Sequence, residues 1–405
     1  MNILIIGNAY PPTYMGGESA HLYNLATSLK KRGHTIFVAH PAASTDGRTS
    51  IRLSRSGEGI HVYRLCLPAE DRGLERLNIM LMDIFQGLLE KGDEIDIIHC
   101  HSNKFSSSME VLTKRYSVPL VTTIHAVHIA MVHDLIKRKG TPVDPHELAL
   151  YTADTERQKA ICAKSARIIA ISRAMNSLVV KYFDADPQKV RHVYNGINFD
   201  RLANFSDQSQ MEEIKKRLGI GDRTVILFAG RVEPVKGIQP LASACKTLCE
   251  RYDQIAFIFL GNGSADTWLR SYLAECRNVY FIDWLSFDGV IPYYHLADIA
   301  VVPSLIEPFG LVVIESMACC TCVISSNADG LDEIITHNLN GVKIPLVVDE
   351  YGDRDIRAED ICSALERAIC EPDWRQSLAD QGVMRAKEFT LDHMAEEVEK
   401  VYSEL

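Results

Sequence analysis

The sequence predicts an α/β protein made of two doubly wound domains, each built on a parallel sheet. Near-continuous Val/Ile/Leu runs alternate with helical stretches, a pattern typical of parallel strands covered on both faces. This alternation pauses at a polar, turn-rich segment, residues 194–210, and then resumes. The length of 405 residues also suits two domains and exceeds one ordinary domain.

Each half of the chain supplies its own series of predicted strands. In the first half they cover residues 2–7, 34–40, 96–101, 119–125 and 166–172, with a helix over about 18–32. In the second half they cover residues 224–230, 256–261, 279–283, 299–304, 322–326 and 341–345. We therefore expect domains over residues 1–200 and 201–385. Because ligands of such sheets bind beyond the carboxyl ends of the strands, two facing domains predict a cleft between them.

The composition argues against several classes of function. The net charge is −10 without a long basic run, which argues against nucleic-acid binding. No run of about 18 apolar residues occurs, so we expect no transmembrane helix. The chain opens on the apolar strand MNILIIGN, without a basic segment and cleavage site, so no signal peptide is expected. Together with eleven scattered cysteines, this predicts a protein of the reducing cytoplasm.

The sequence predicts no metal site. The cysteines cluster at Cys319, Cys320 and Cys322, an apolar stretch without a second pair at ligand spacing. The histidines that follow the strand 119–125 are spaced by three and five residues, which matches no common ligand pattern; they are His125, His128 and His133. Two Asp-x-Asp triplets, 184–186 and 353–355, lie in polar loops away from strand ends.

The stretch EPFGLVVIE, residues 307–315, follows a predicted strand and carries the most informative chemistry. Pro308 cannot continue a β-ladder and Gly310 frees the backbone, so we expect the strand to end and an apolar helix to begin here. The N–H groups of Gly310 and Leu311 would then point at an anion. Glu315 falls among apolar neighbours, where its carboxylate needs donors such as the two vicinal hydroxyls of a ribose. Taken alone, each acid could equally form an ordinary salt bridge.

Two other loops carry groups suited to phosphate. Arg231 and Lys236 flank a proline turn in GRVEPVKG, and cations placed there can bind a diphosphate. Gly16 and Gly17 precede a helix, so their backbone can approach a phosphate. The alternative interpretation of Arg231 and Lys236 is a pair of solvated surface charges. The alternative interpretation of Gly16 and Gly17 is a plain tight turn. The Gly-x-Gly of residues 260–264 lacks the third glycine and the acid of a dinucleotide fingerprint, which argues against a dinucleotide oxidoreductase.

Taken together, these motifs resemble the retaining nucleotide-sugar glycosyltransferases of GT-B architecture, the family of sucrose synthases and bacterial mannosyl- and N-acetylglucosaminyltransferases. The most specific part is the Glu-Pro-Phe-Gly-Leu context with its second acid seven residues further on. The likeness runs over almost the whole chain and includes LATSLKKRGHTIFV, TTIHA, VRHVYNGINFD, FAGRVEPVKG, ADIAVVPSLIEPFGLVVIESMAC and DGLDEIITHNLNGVKIP. The resemblance implies two facing Rossmann-like domains, with a final helix at about 386–405 that packs back on the first.

The resemblance also implies a role for each matching residue. Glu315 is similar to the acid that binds the donor's ribose, and Glu307 to the acid that contacts the donor sugar. Arg231 and Lys236 match the pair that holds the diphosphate, and His125 matches a strand-end histidine beside the donor sugar. The remaining donor contacts expected by position are Gly16, Gly17, Asn195, Trp284, Leu285, Phe309, Gly310 and Leu311, with the main chain near Trp284 and Leu285 holding the nucleobase.

The function implied is sugar transfer from a nucleotide diphosphate sugar to an acceptor hydroxyl. The donor expected is a UDP-linked hexose or N-acetylhexosamine, and the configuration at the transferred carbon is retained by same-face attack. Negative charge on the leaving diphosphate would be stabilised by Arg231, Lys236 and a helix N-terminus, so no metal is required. Two alternatives stay open: a nucleotide-sugar epimerase of the same architecture, and a catalytically inactive sugar-binding module.

Loops of the first domain would bind the acceptor. These include Tyr14, Met15, His21 and the segment 125–150, which mixes apolar, histidine and basic residues. A small polar acceptor such as an inositol, an aminocyclitol or a sugar phosphate is one alternative. The other is a lipid-linked acceptor, reached by peripheral contact of the basic run LIKRKG with the inner face of the membrane.

The chain departs from the family pattern at a few positions. Cys320-Thr321-Cys322 stands where Gly-Thr-Pro is usual, and Asp329-Gly330 stands where a Gly-Gly pair is usual. Val235 precedes the lysine where Glu or Gln is usual. The first two departures lie at a helix end and a loop near the phosphates. They are expected to affect the fit of the donor, and not the fold.

Overall fold

The computed structural model describes residues 1–12, 16–69, 73–127, 145–350 and 352–405. These residues form two compact units. The first unit contains the described residues up to Gly196 together with Leu391–Leu405, and the second contains Ile197–Thr390. In the described part of the chain, no helix is long and apolar enough to cross a membrane.

The first unit is built on one eight-stranded sheet. Its strands are β1 (Asn2–Ile6), β2 (Thr35–Ala43), β3 (Ser50–Arg55), β4 (His61–Leu67), β5 (Ile97–Cys100), β6 (Leu120–Ile124), β7 (Arg167–Ala170) and β8 (Val190–His192). Their order is β3-β4-β2-β1-β5-β6-β7-β8, and every neighbouring pair is parallel except β3 with β4. The α-helices described in this unit before Gly196 are α1 (Gly17–Lys31), α2 (Leu74–Glu90), α3 (Ser106–Arg115), α4 (Pro145–Lys164) and α5 (Arg173–Phe183).

The second unit is built on a six-stranded, wholly parallel sheet. Its strands are β9 (Thr224–Ala229), β10 (Ile255–Leu260), β11 (Val279–Ile282), β12 (Ile299–Val302), β13 (Cys322–Ser326) and β14 (Val342–Ile344), in the order β11-β10-β9-β12-β13-β14. A separate antiparallel pair joins β15 (Val347–Val348) to β16 (Arg354–Asp355). The helices are α6 (Phe199–Ala203), α7 (Gln208–Leu218), α8 (Ile238–Arg251), α9 (Asp266–Tyr272), α10 (Phe287–Leu296), α11 (Leu311–Ala318), α12 (Gly330–Ile334), α13 (Ala358–Cys370) and α14 (Pro372–Ala386).

The last helix, α15 (Leu391–Tyr402), belongs to the first unit. Its buried side chains, among them Met394 and Val398, join the hydrophobic core under α1. Its polar face is tied down as well, because Glu399 pairs with Arg32 at 2.7 Å. The chain therefore returns to the first sheet after completing the second unit.

Both faces of the first sheet are covered, which explains the unbroken apolar runs in the sequence. Along β1, Leu4 and Ile6 enter one hydrophobic core, while Ile3 and Ile5 enter the core on the opposite face. Successive side chains of a strand point to opposite faces, so a strand buried on both must be apolar at every position. The predicted α/β class with two parallel sheets is confirmed.

The hairpin of β3 and β4 was not predicted from the sequence. Strand β3 lies at the edge of the sheet and is exposed along almost its whole length. Its two apolar residues, Ile51 and Leu53, are 36% and 50% exposed, so the strand lacks the pattern of a buried one. The shorter β8 was missed because it contributes only one buried side chain, Val190.

The loop between β9 and α8 lies unusually close to the end of β12. Gly237 has φ +68° and ψ +29°, and a Cβ built on it would lie 1.9 Å from the main-chain oxygen of Pro303. Gly219 has almost the same backbone conformation, φ +65° and ψ +29°, but a Cβ there would meet nothing within 4 Å. The two glycines thus share one conformation and differ in the space around them.

Replacing each of these glycines with alanine should separate the two effects. Gly219→Ala should cost only the left-handed conformation, about 1 kcal/mol. Gly237→Ala should cost about 1–3 kcal/mol more, because the main chain of Pro303 must move. All three tryptophans, at 268, 284 and 374, lie in the second unit, so urea unfolding followed by tryptophan fluorescence measures that unit. Equal midpoints for the two variants would contradict the close approach.

Candidate functional site

Lys236 and Glu307 meet at the carboxyl edge of the second sheet. They are 71 positions apart, yet the Nζ of Lys236 lies 2.7 Å from Oε2 of Glu307. The hydroxyl of Ser304 donates to the same oxygen at 3.3 Å. Both charged side chains are mostly buried, 19% and 17% exposed, so the pair is held in a defined place. Two residues that the sequence analysis selected independently are therefore in contact.

Arg231 lies in the same loop as Lys236 but is exposed. Within the described residues, its guanidinium forms no ion pair closer than 4 Å. The loop itself is braced by the Gly-x-Gly segment, because Glu233 accepts hydrogen bonds from the N–H of Ser264, at 3.1 Å, and from its hydroxyl. The charge of Arg231 also acts on the Glu233 carboxylate of the same loop, and its exposed guanidinium is suited to binding a soluble anion.

The predicted helix after the Pro-Phe-Gly turn is α11, and it begins at Leu311 as expected. Gly310 precedes it with φ +113°, a conformation that favours glycine. In the part of the chain that is described, the N–H groups of Gly310 and Leu311 donate to no acceptor. Phe309 is buried, with its ring 5.8 Å from that of Phe389, so only its main chain faces the site. The helix end thus presents free donors.

Asp329, which replaces a glycine of the family pattern, has a structural role here. It adopts φ +42°, an uncommon value for an aspartate. Its Oδ2 accepts a hydrogen bond from the N–H of Glu307 at 3.1 Å, and its Oδ1 accepts one from Arg354 at 2.8 Å. The next N–H, of Gly330, donates to the carbonyl of Glu307 at 3.1 Å. The main chain of Glu307 is therefore held from both sides, and the charge of Asp329 is balanced by Arg354.

Glu315 has a partner that the sequence did not reveal. The hydroxyl of Tyr294, on α10, donates to its Oε2 at 2.8 Å. Burial raises the pKa of Glu315 from its ordinary 4.5 to about 7, and the tyrosine hydrogen bond opposes that rise only in part. The second carboxylate oxygen carries no protein hydrogen bond within the described residues. One oxygen of the Glu315 carboxylate can thus still accept hydrogen bonds, in apolar surroundings.

Trp284 and Leu285 follow β11 at the same edge of the second sheet. The Trp284 ring is 60% exposed, and Leu285 is partly buried. Ser286 then caps α10 by accepting a hydrogen bond from the N–H of Gly289 at 3.4 Å. The loop is therefore held at Ser286 by the start of α10 and exposed at Trp284.

In the first unit, the glycine pair lies where the sequence predicted. Helix α1 begins at Gly17, and Gly16 precedes it with φ +78°. Asn195 is buried beside His21. Of the predicted acceptor-side residues, Tyr14, Met15 and 128–144 lie outside the described residues.

His125, the predicted strand-end histidine, is part of a cluster. Its Nε2 lies 3.0 Å from Nδ1 of His101, and its ring lies 4.8 Å from that of His21. Burial lowers the pKa of His125 to about 4, and it lowers the pKa of His21 and His101 as well. His101 was not among the predicted site residues, although His101 follows β5, the neighbour of β6. A strand order would have placed the two histidines side by side.

Two family models cover most of the chain. The model described as "Glycosyl transferases group 1" matches residues 210–368, and "Glycosyltransferase Family 4" matches residues 15–201. The first range contains Arg231, Lys236, Glu307 and Glu315, and the second contains Gly16, Gly17, His125 and Asn195. The chain belongs to the group 1 glycosyltransferase family.

Relatives of this glycosyltransferase match it along most of their length. A glycosyltransferase of Methanocaldococcus jannaschii is 27% identical, with 99% of this chain and 98% of the relative covered. The D-inositol 3-phosphate glycosyltransferase of Thermobifida fusca is 26% identical, over 92% of this chain and 84% of the relative. The glycogen synthase of Mycobacterium tuberculosis is 25% identical, over 84% and 82%.

Solved structures show the fold of this glycosyltransferase to be GT-B. The sucrose-phosphate synthase of Thermosynechococcus elongatus superposes with a TM-score of 0.79 at 20% identity, covering 100% of this chain and 98% of that one. Anabaena HepE in complex with UDP-glucose gives a TM-score of 0.75 at 17% identity, with both chains covered completely. These structures confirm the predicted GT-B fold, and the two family models confirm the predicted family.

The cysteine cluster of the glycosyltransferase contains free thiols. Cys319 and Cys322 are buried, and burial raises the pKa of Cys322 to about 12. Cys320 is exposed and adopts φ +59° at the end of α11. The buried pair is thus protonated and chemically inert at neutral pH.

Replacing Glu315 with glutamine should change how the stability of the second unit depends on pH. The raised pKa means that the folded protein holds a proton between about pH 4.5 and pH 7 that the unfolded chain has lost. Wild-type stability should therefore fall as pH rises through that window. The glutamine variant does not titrate at this position. Between about pH 4.5 and pH 7, the unfolding free energy of Glu315→Gln minus that of the wild type should therefore increase by up to about 3 kcal/mol, measured by urea unfolding at each pH.

Tyr294→Phe serves as the comparison for this measurement. It removes the hydrogen bond that favours the charged carboxylate, so the pKa of Glu315 should rise and the fall in stability should extend to higher pH. Parallel pH profiles for wild type and Glu315→Gln would show that Glu315 does not titrate in this range.

Proposed function

We propose that this glycosyltransferase transfers a sugar from a nucleotide diphosphate sugar to an acceptor hydroxyl, with retention of configuration and without a metal. The donor we propose is a UDP-linked hexose or N-acetylhexosamine. The observation that carries the proposal is the Lys236–Glu307 pair of 2.7 Å beside the free N–H groups at the start of α11. An acid that we propose to contact the sugar, a cation that we propose to contact the diphosphate and a helix end with free N–H donors thus come from neighbouring loops.

The molecules bound or formed by related proteins support the choice of donor. Anabaena HepE has been solved with UDP-glucose, with UDP and glucose, and with UDP. A trehalose-phosphate synthase of Burkholderia xenovorans, described as UDP-forming, also superposes on this chain, with a TM-score of 0.74. UDP-sugars are therefore the first donors to test.

The diphosphate would be bound by Arg231, Lys236 and the N–H groups of Gly310 and Leu311. Arg231 is exposed and forms no ion pair within 4 Å among the described residues, so its guanidinium can turn from the nearby Glu233 to a phosphate. Lys236 would share its charge between Glu307 and the donor. These groups stabilise the charge that develops as the glycosidic bond breaks, which is where electrostatic catalysis is most effective.

The other parts of the donor would contact groups whose surroundings suit them. Glu315 would accept hydrogen bonds from the ribose hydroxyls with the oxygen that Tyr294 leaves free, and the main chain near Trp284 and Leu285 would hold the base. Glu307 and His125 would contact the sugar, each from its own unit. The cleft between the two units remains a prediction.

In the reaction we propose, the acceptor oxygen attacks the anomeric carbon on the face from which the diphosphate leaves. The bond from that carbon to the phosphate oxygen breaks, and the acceptor's proton passes to the leaving phosphate. No protein nucleophile is required. The acceptor we propose first is a small polar alcohol, because relatives include D-inositol 3-phosphate glycosyltransferases. A lipid-linked acceptor is the alternative that an acceptor screen would detect.

Alanine substitution of the two cations tests the diphosphate assignment. Arg231→Ala and Lys236→Ala should each lower kcat by about 100-fold, since loss of one stabilising donor typically costs roughly 3 kcal/mol in the transition state. Transfer is measured by nucleotide release with UDP-, GDP- and ADP-sugars. Lys215→Ala is the control, because Lys215 is a helix-surface lysine that pairs with Glu212 on the same helix.

Full transfer activity in either variant would make the diphosphate assignment wrong. The stereochemistry of the product, read by NMR, separates the remaining functions. A transferred sugar of retained configuration supports the transferase, a C2-inverted sugar nucleotide would indicate the epimerase, and binding without turnover would indicate an inactive module.

Binding of UDP should depend on the ionisation of Glu315. With a pKa of about 7, its carboxylate forms as pH rises through neutrality, and the charged form accepts ribose hydroxyls more strongly. UDP affinity should therefore rise from about pH 6 to pH 8 in the wild type, and Glu315→Gln should be weaker by about tenfold at the higher pH. Calorimetric titration of both proteins measures this, and the ionisation of UDP itself cancels in the comparison. Unchanged UDP affinity in Glu315→Gln would remove the ribose role.

A further inference from the structure

Three imidazoles converge at the carboxyl edge of the first sheet. His101 follows β5, His125 follows β6, and His21 comes from α1, which follows β1. The strands are neighbours in the order β1-β5-β6, so their loops leave the sheet side by side. One ring nitrogen of each histidine lies within 4.8 Å of the others, and His101 Nδ1 is 3.0 Å from His125 Nε2.

Several buried polar atoms at this place lack a hydrogen-bond partner among the described residues. They are both ring nitrogens of His21, Nε2 of His101 and Oδ1 of Asn195. A buried polar atom without a partner costs about 1–3 kcal/mol. The Asn195 side chain lies close enough to satisfy one nitrogen of His21, which leaves the other nitrogen of His21 and Nε2 of His101 to indicate a site for a further group. His99 provides the contrast: it stacks on His101, but its two nitrogens are bonded to Tyr402 and Thr123 at 2.6 and 2.7 Å.

The chemistry of the three side chains indicates what that group is. Each imidazole can offer one ring nitrogen within 4.8 Å of the others. The neutral imidazole is the most common protein ligand of transition metals, so three converging rings suit a metal ion.

The geometry is close to that of a three-histidine metal site. Zinc–nitrogen bonds of about 2.0–2.1 Å in a tetrahedron place the nitrogens about 3.3 Å apart. The pair His101–His125 is already near this separation, and His21 must move inward by rotation of its side chain. His125 is partly exposed, so an ion can enter from solvent and keep one open position.

We propose that His21, His101 and His125 bind a divalent transition-metal ion, with Zn²⁺ as the first candidate, and that the bound ion inhibits sugar transfer. The inhibition rests on the proposed function, in which His125 contacts the donor sugar and the chemistry needs no metal. An imidazole lone pair that binds zinc is not available to a sugar hydroxyl. The ion and the donor would therefore compete for His125.

Direct binding tests the site independently of activity. The full chain, stripped of metal and free of donor, is titrated with Zn²⁺ by calorimetry, and with Co²⁺ by visible absorption, which reports tetrahedral coordination. We expect one ion per chain. His101→Gln and His21→Gln should each weaken Zn²⁺ binding by about tenfold or more, since loss of a ligand costs at least as much as loss of its supporting contacts.

His40→Gln is the matched control for these variants. His40 is also a buried histidine with an unpartnered Nε2 among the described residues, but it bonds the carbonyl of Pro41 and lies outside the cluster. It should bind Zn²⁺ as the wild type does. Circular dichroism of each variant checks that the chain is folded, and two separate ligand variants keep the test decisive if one fails to fold.

Two results would overturn the metal site: absence of stoichiometric Zn²⁺ binding by the wild type, or binding that persists unchanged in both ligand variants. The unpartnered atoms would then be hydrated by water. The inhibition of sugar transfer is tested separately from metal binding. Zn²⁺ should inhibit transfer and a chelator should restore it. If Zn²⁺ binds at the cluster and transfer continues, the metal site stands, and the contact of His125 with the donor sugar is wrong.

Discussion

The pairing of β9 with β12 is the constraint on which the second unit's site depends. Ile226 lies opposite Ile299 in a parallel register, so the loops after both strands leave the sheet at one edge. This register brings Lys236 within 2.7 Å of Glu307 although the two are far apart in sequence. The close approach of Gly237 to Pro303 fixes the same two loops against each other, so register and loop packing act together.

The first unit applies the same constraint with different chemistry. Strands β5 and β6 are parallel neighbours, with Cys100 opposite Thr122, and each is followed by a histidine at its end. Burial keeps these imidazoles neutral, whereas the edge of the second sheet carries a buried ion pair and an unpaired arginine among the described residues. The cationic groups thus lie in the second unit, where the phosphates of a donor are proposed to bind, and the neutral imidazoles lie in the first.

The sequence was sufficient where local pattern decides structure. Strands buried on both faces are apolar throughout, so β1 and β9 could be predicted, and the turn at Gly310 predicted the start of α11. It was insufficient where a contact depends on packing between elements. The Tyr294–Glu315 hydrogen bond needs α10 beside α11, and no spacing along the chain encodes that. His101 is an intermediate case. Its strand was predicted from the sequence, but its nearness to His125 follows only from the order of the strands in the sheet.

The aspartate at position 329 shows how a departure from the family pattern can be absorbed. A glycine there adopts positive φ freely and carries no charge, whereas Asp329 holds φ +42° and places a carboxylate near the proposed phosphate site. Its two oxygens are used by the N–H of Glu307 and by Arg354, so the bonds offset the backbone strain and the guanidinium offsets the charge. Arg354 therefore belongs to the electrostatics of the proposed site, although in the sequence it was only the middle residue of the Asp-x-Asp triplet 353–355. Without Arg354, Asp329 would be an uncompensated negative charge beside the proposed diphosphate site, and the advantage of Arg231 and Lys236 would be reduced.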